Sequence, residues 1–240
     1  MASVTEQSLN ETPTMSPEEM ARRIDHTLLK AEATGDHILR LCDDARTYGF
    51  GAVCVNGRWV STAAERLHGS GVGVAAVVGF PLGADTTKAK VAQTKEAIHD
   101  GADEIDMVAD LAAIIEGDTR YLLRQLQAVW RVCHAMRPPV VLKVIIESAA
   151  LTSEQKVLAC RAVEQIGGDF VKTSTGLHPA GGATVEAVRL LRETSQRYRI
   201  KASGGIRTAQ QALAMIEAGA DRIGTSSGVV ILEELRVRNA

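Results

Sequence analysis

Aromatic residues are scarce in this 240-residue chain, where Phe, Trp and Tyr together make up 3%. Stacking platforms for single-stranded nucleic acid and broad aromatic interfaces therefore have little to build on. An excess of positive charge is missing too. Lys plus Arg (27) nearly balance Asp plus Glu (29), a formal charge of −2. Without clustered cations to neutralise phosphates, no nucleic-acid partner is expected. No apolar run reaches the roughly 18 residues that span a bilayer, so no membrane attachment is expected either. The first fifteen residues, MASVTEQSLNETPTM, have neither a basic start nor an apolar stretch, and the expected location is cytoplasmic. Cys42, Cys54, Cys133 and Cys160 are far apart and form no CxxC, which excludes a disulfide framework and a zinc knuckle. The six histidines form no HxH or HExxH, so no metal site and no cofactor is expected.

What the chain does contain is an alternation. From Ile24 onward short β-branched runs recur, each followed by a turn and a stretch with helical apolar spacing. The predicted strands are Asp25–Leu28, Gly51–Asn56, Gly73–Gly79, Glu104–Val108, Val140–Glu147, Phe170–Ser174, Ile200–Ser203 and Arg222–Thr225. Amphipathic helices are predicted between them, among them Thr86–His99, Ser153–Ile166, Val185–Tyr198 and Thr208–Ala218. Strands start roughly 20 to 37 residues apart, the length a strand, a crossover helix and two loops require. Eight such units in under 250 residues fit an α/β fold of the closed (β/α)8 TIM-barrel type. The rival, an open doubly wound sheet, usually carries GxGxxG after its first strand, and nothing after Leu28 does. Residues 1–15 read as a flexible tail before a single barrel domain over 16–240, whose first helical turn begins near Ser16.

A barrel strand sends alternate side chains inward, so polar residues of one parity inside apolar runs report what the barrel encloses. In VVLKVIIE, Lys143 and Glu147 share a parity; Glu104 pairs with Asp106 in EIDMV, Lys172 with Ser174 in FVKTS, and Lys201 with Ser203 in IKAS. Asp25 and Thr27 face one way in IDHTL, as do Cys54 and Asn56 in AVCVN. Three lysines on consecutive strands thus point into one volume, with Asp106, Asp25 and Glu147 as expected counterions. A lone inward lysine would be read as a snorkelling chain or a structural ion pair. Three together are costly to bury unless they serve a function.

Only an uncharged amine attacks a carbonyl, and a lysine with its ordinary pKa of ~10.4 is almost wholly protonated at pH 7. Ammonium groups ~5 Å apart repel by roughly 3 kcal/mol at an effective dielectric of ~20, enough to favour losing one proton. Lys172, on the middle strand of the three, is flanked on both sides and is the expected nucleophile. Asp106 faces the lysines and could pass protons, or could simply balance charge. Cys54 is expected to line the pocket rather than react.

Two glycine-rich turns, Ser203-Gly204-Gly205-Ile206-Arg207 and Gly224-Thr225-Ser226-Ser227-Gly228, follow the seventh and eighth strands and each opens a helix. These positions commonly hold phosphate in (β/α)8 proteins, through backbone N–H groups and the helix N-terminus.

Together these segments resemble the deoxyribose-phosphate aldolases, Schiff-base (class I) enzymes. The resemblance runs from Ile24 to about Leu235 through IDHTLLK, AVCVN, VVGFPLG, GADEIDMV, LKVIIE, FVKTSTG, ASGGIRT and GTSSG. It implies Lys172 as the Schiff-base lysine, Lys201 as the second lysine that eases its deprotonation, and Asp106 as a proton relay. It also implies Asp25, Thr27, Cys54, Lys143, Thr175 and Gly176 as pocket residues, and Gly204, Gly205, Gly224, Ser226 and Ser227 as the phosphate end. The implied reaction is metal-independent, reversible cleavage of 2-deoxy-D-ribose 5-phosphate to D-glyceraldehyde 3-phosphate and acetaldehyde, in deoxynucleoside catabolism. Partners would be these small molecules and further copies of the chain, as a dimer or tetramer. The sequence departs from relatives at Ala31 and Gly57, where proline is frequent, and at Leu177-His178-Pro179 after the TSTG motif. The last tyrosine is Tyr198, so the C-terminal tyrosine of some relatives is missing. Proton transfer would then rest on Asp106, Lys201 and water. Two other readings compete: an isomerase or epimerase acting by acid–base chemistry on a sugar phosphate, and a sugar-phosphate sensor without turnover.

Overall fold

The structure, a computed structural model, describes residues 15–239; the tail expected over residues 1–15 lies, except for Met15, outside the described residues. Helix α1 (Pro17–Arg23) opens with a Ser16–Glu19 capping box and leads into β1 (Ile24–Leu28). There follow α2 (Gly35–Tyr48), β2 (Ala52–Val55), α3 (Val60–Leu67), β3 (Gly73–Val78), α4 (Thr87–His99) and β4 (Glu104–Val108). The second half runs through α5 (Leu111–Glu116), α6 (Thr119–His134), β5 (Val141–Ile145), α7 (Ser153–Ile166), β6 (Phe170–Lys172) and α8 (Val185–Thr194). It closes with β7 (Arg199–Ser203), α9 (Ala209–Glu217), β8 (Arg222–Thr225) and α10 (Gly228–Arg238). Each strand pairs in parallel with the next in sequence, and β8 returns to β1 to close an eight-stranded (β/α)8 barrel.

The hydrophobic effect acts on two separate surfaces. Outward-facing strand residues such as Val53, Val144, Ile200 and Ile223 merge with the inner faces of the helices into one large core. Inside the barrel one side carries no charged side chain, and there Cys54, Ala75 and Val77 of β2 and β3 form a small cluster with Leu29 and Phe80, while apolar Ile145 and Phe170 lie among the polar residues of β5 and β6. The other side, from β4 round to β1, is charged. That division within the barrel interior positions the site.

Several elements end differently from expectation, and each difference has a local cause. The predicted strand Val140–Glu147 is regular only over Val141–Ile145, because Glu147 adopts a left-handed conformation with φ 53°. The strand predicted to reach Ser174 stops at Lys172, where Thr173 Oγ1 takes over from the ladder: it accepts from Ser203 N at 3.0 Å and donates to Ser203 O at 3.1 Å. The helix predicted over Val185–Tyr198 ends at Thr194. Ser195 is extended there, and its hydroxyl accepts from Arg197 N and donates to Glu164. Thr86 and Thr208, predicted inside helices, are the N-caps of α4 and α9.

Candidate active site

The strand register brings the inward polar residues to one end of the barrel. Lys172 lies directly across from Lys201 on β7, and Asp106 lies across from Lys143 on β5. Lys143 is opposite Phe170, not Lys172, so it sits one layer lower than a view of three evenly flanking lysines expects. The stagger of strands in a closed barrel causes this, and alternation alone does not reveal it.

Asp106 is the hub. Its Oδ1 accepts from Lys143 Nζ at 2.7 Å, and its Oδ2 accepts from both Lys172 Nζ at 2.7 Å and Lys201 Nζ at 2.6 Å. Lys201 has a second carboxylate, Asp25 Oδ2, at 2.5 Å. Lys143 contacts Glu104 as well, with Asp25 at 3.6 Å. Arg222, the first residue of β8, holds Asp25 Oδ1 through Nε at 2.8 Å and through Nη2, and lies 3.4 Å from Glu104. Cys54 completes the group, its thiol 3.8 Å from Asp106 Oδ2. Sequence reasoning missed Arg222 and gave Glu104 no partner. The parity of Arg222 with Gly224 on β8 was the available signal.

These contacts divide the lysines into two kinds. Burial alone would drive protons off Lys201 and Lys143, but Asp106 with Asp25 for the first, and Asp106 with Glu104 for the second, outweigh it and hold both amines above their ordinary range. Burial would raise the Asp25 and Asp106 carboxyls, yet the surrounding cations keep both well below the usual carboxylate range. Lys172 touches a single carboxylate oxygen, shared with Lys201. Burial also pushes the Cys54 thiol upward, so it stays protonated and serves as wall.

Above this cluster opens a cavity of about 260 Å³. Of the three lysines only Lys172 lines it; Lys143 and Lys201 are fully buried beneath. Thr27, Thr175, Gly176 and Gly224 contribute to its wall, as do Gly204, Gly205 and Ser226 at one end. Asp25, Cys54, Lys143 and Asp106 sit below the floor. Ser227 is outside the lining and serves as the N-cap residue of α10. Two cations that the sequence reading passed over, Lys30 and Arg207, stand at the rim without a carboxylate partner among the described residues. Glu147 is not a counterion of the lysines. Its carboxylate instead accepts from Thr175 Oγ1 at 2.6 Å and Thr175 N at 3.2 Å, and it borders a second, smaller cavity. The left-handed backbone at Glu147 turns its side chain toward Thr175, which alternation could not anticipate.

The glycine-rich end presents backbone amides unpaired among the described residues, the donors an anion would require. Gly204 and Gly205 have φ of 89° and 82°, a conformation L side chains rarely adopt, and their amides donate to no protein acceptor among the described residues. The amides near the start of α9 are occupied, since Arg207 N and Thr208 N donate to Gln211 Oε1 of the same helix and Ala209 N donates to Glu234 of α10. The first turn of α10 is not capped in this way. Thr225 joins the two loops by donating to Ile206 O at 2.7 Å and accepting from Ser227 N at 2.9 Å. At Gly224 a Cβ would lie 2.9 Å from Lys201 Cε, so glycine there opens the channel along which Lys201 reaches Asp106.

Comparison with known proteins places the chain in a family. Residues 20–234 match the DeoC/LacD family of aldolases. A deoxyribose-phosphate aldolase of Thermococcus gammatolerans is 52% identical over 221 residues, covering 91% of this chain and 97% of the relative. One from a Geobacillus strain is 51% identical over 215 residues, covering 89% and 95%. Among solved structures, a putative deoxyribose-phosphate aldolase from Coccidioides immitis superposes with TM-score 0.88 at 39% identity, covering 93% of this chain and 88% of that one. A deoxyribose phosphate aldolase from Aeropyrum pernix, described as a unique tetramer, superposes with TM-score 0.85 at 32% identity, with 92% of each chain covered.

Proposed function

Because the chain belongs to the DeoC/LacD family of aldolases, we propose that it cleaves 2-deoxy-D-ribose 5-phosphate reversibly into D-glyceraldehyde 3-phosphate and acetaldehyde, through an imine on Lys172. The observation that carries this reading is the unequal access of the three lysines to the cavity. One amine reaches the cavity from a floor whose other two amines are sealed and firmly charged.

The phosphate would bind the free amides of Gly204 and Gly205, Ser226 and the start of α10, with Arg207 and Lys30 screening its charge. This fixes the carbonyl carbon against Lys172 Nζ and removes much of the entropic part of the barrier. Attack forms a carbinolamine; loss of water, with a proton supplied through Asp106 and Lys201, gives the protonated imine. The C3 hydroxyl then gives its proton through water to the Asp106–Lys201 relay, which had supplied one for the loss of water, the C2–C3 bond breaks toward the imine nitrogen, and glyceraldehyde 3-phosphate leaves. The remaining enamine takes a proton at C2, and water releases acetaldehyde and restores the amine. The protonated imine is itself the electron sink, so the scheme uses neither a metal ion nor an organic cofactor. Lys201 acts through the shared Asp106 oxygen, and Thr175, fixed by Glu147, forms the wall beside the imine. We further propose a cytoplasmic role in deoxynucleoside catabolism, as a homo-oligomer; no helix among the described residues is long and apolar enough to cross a membrane.

The test is covalent trapping. The protein is incubated with acetaldehyde and borohydride, digested, and its peptides weighed. A reduced adduct on Lys172 is expected. An enzyme that turns over deoxyribose 5-phosphate with no adduct on any lysine would overturn the imine, and a protein with neither property would return the reading to a sensor or an isomerase.

A further inference from the structure

Around Asp106 the barrel encloses four cations, Lys143, Lys172, Lys201 and Arg222, and three carboxylates, Asp25, Glu104 and Asp106. The seven come from β1, β4, β5, β6, β7 and β8; Cys54 on β2 is uncharged, the buried Glu147 carboxylate beside β6 is engaged by Thr175, and Lys30 and Arg207 line the cavity outside this ion-paired network. Three lysines against three carboxylates would be neutral with every amine protonated. The guanidinium at the far end of the barrel breaks that balance. We propose that Arg222 is a positioning residue for the reaction: by adding a fourth cation to the cluster it leaves a surplus of one positive charge, which is relieved when Lys172 gives up its proton.

A surplus charge in a desolvated interior costs free energy until some member of the cluster discharges it. Arg222 cannot, because a guanidinium does not lose its proton in proteins. Lys201 and Lys143 each face more than one carboxylate and are held charged. Lys172 has one carboxylate oxygen, already shared, and is the lysine that opens to the cavity. The position of Arg222 is prepared by the backbone around it. A side chain at Gly51 would bring Cβ 3.3 Å from the guanidinium carbon and 2.4 Å from Arg22 O, so glycine there keeps a berth for the arginine. Arg222 is not among the residues that line the cavity, and Lys201 is registered between it and Lys172. Arg222 therefore acts through charge without touching the substrate.

The proposal rests on the imine reading and is tested so that the two can fail separately. Lys172 and Arg222 stand two strands apart, roughly 10 Å at ~4.8 Å per strand, where one charge at an effective dielectric of ~20 moves a titration by about one pH unit. In Arg222→Met the midpoint of the acid limb of kcat/KM, and of the rate of acetaldehyde–borohydride adduct formation on Lys172, should move up by about one pH unit. That is about a tenfold loss of both below the midpoint. Arg222→Lys, which keeps the charge, should restore the parental midpoint. Glu104→Gln removes a negative charge from the same end and should move the midpoint down. A purely structural role for Arg222 predicts lower activity with the midpoint unmoved, and that result, or shifts of the same sign in Arg222→Met and Glu104→Gln, overturns the proposal. If Arg222→Met does not fold, Glu104→Gln decides alone, a downward shift supporting the charge balance and an unmoved midpoint rejecting it. Absence of any Lys172 adduct in the parent at every pH removes the imine and this inference with it; an adduct whose midpoint ignores both substitutions removes only the role of Arg222.

Discussion

Replacing Lys201 by methionine tests how strongly the neighbouring ammonium governs Lys172. The two Nζ atoms donate to the same Asp106 oxygen at 2.6 and 2.7 Å, so they cannot stand more than about 5 Å apart. At that distance and an effective dielectric of ~20 the repulsion is ~3 kcal/mol, equivalent to about two pH units. Methionine suits the site because the lysine chain threads a narrow channel beside Gly224, and an unbranched side chain can follow it. The acid limb of kcat/KM should shift upward by about two pH units, giving roughly a hundredfold loss near neutrality that is partly recovered at alkaline pH. The shift should exceed that of Arg222→Met, since Arg222 lies farther from Lys172. Stability must be measured alongside. Asp25 and Asp106 each lose a buried partner, which costs ~3–5 kcal/mol when a buried pair is broken. Folding is read from urea unfolding and turnover from a pH series on the folded fraction. A loss of equal size at every pH would refute the electrostatic reasoning and leave Lys201 as packing or as proton donor.

Other substitutions probe separate links. Gly224→Ala should destabilise the protein by ~1–3 kcal/mol in urea unfolding, because its Cβ would lie 2.9 Å from both Lys201 Cε and Ser203 Cβ; a neutral result would mean that the Lys201 channel is not fixed. Lys90 is fully buried on α4, donates to Gly83 O at 2.6 Å, Val108 O at 2.8 Å and Gln125 Oε1 at 2.9 Å, and is pushed down to about 8 by burial, with Asp110 and Asp85 opposing. Between about pH 8 and 10.4 the unfolded chain then binds more protons than the folded one, so Lys90 makes stability rise with pH across that window. Relative to Lys90→Met the wild type should gain ~2 kcal/mol from pH 8 to 10, and a constant difference would place the lysine's pKa near its ordinary value.

Much of the fold was legible because parallel barrel strands are short, β-branched and separated by helices of regular apolar period. The site was legible for a related reason: charged residues of one parity within runs such as VVLKVIIE have nowhere to point except the interior. What alternation cannot supply is height along the barrel axis. Lys143 shares its parity with the other lysines but lies one layer below Lys172, through the stagger of closure. Nor does it supply backbone exceptions. Glu147 has the right parity for a counterion, yet its left-handed backbone gives its carboxylate to Thr175. Arg222 escaped notice because a cation at the first position of a strand reads as a rim residue, whereas its long side chain turns inward to Asp25. The over-long helix after Val185 reflects a polar stretch, Ser195 to Arg197, that satisfies its own hydrogen bonds through Ser195 and so leaves the helix.

The central claim, that the charge surplus of a crowded floor acts on the one lysine that opens to the cavity, is measured most directly by following the rate of reductive methylation of individual lysines against pH. Lys88, exposed on α4, is the internal reference. The charge balance predicts that the Lys172 rate, scaled to its own maximum, levels off near neutral pH while that of Lys88 is still climbing. Parallel curves for Lys172 and Lys88 would contradict it.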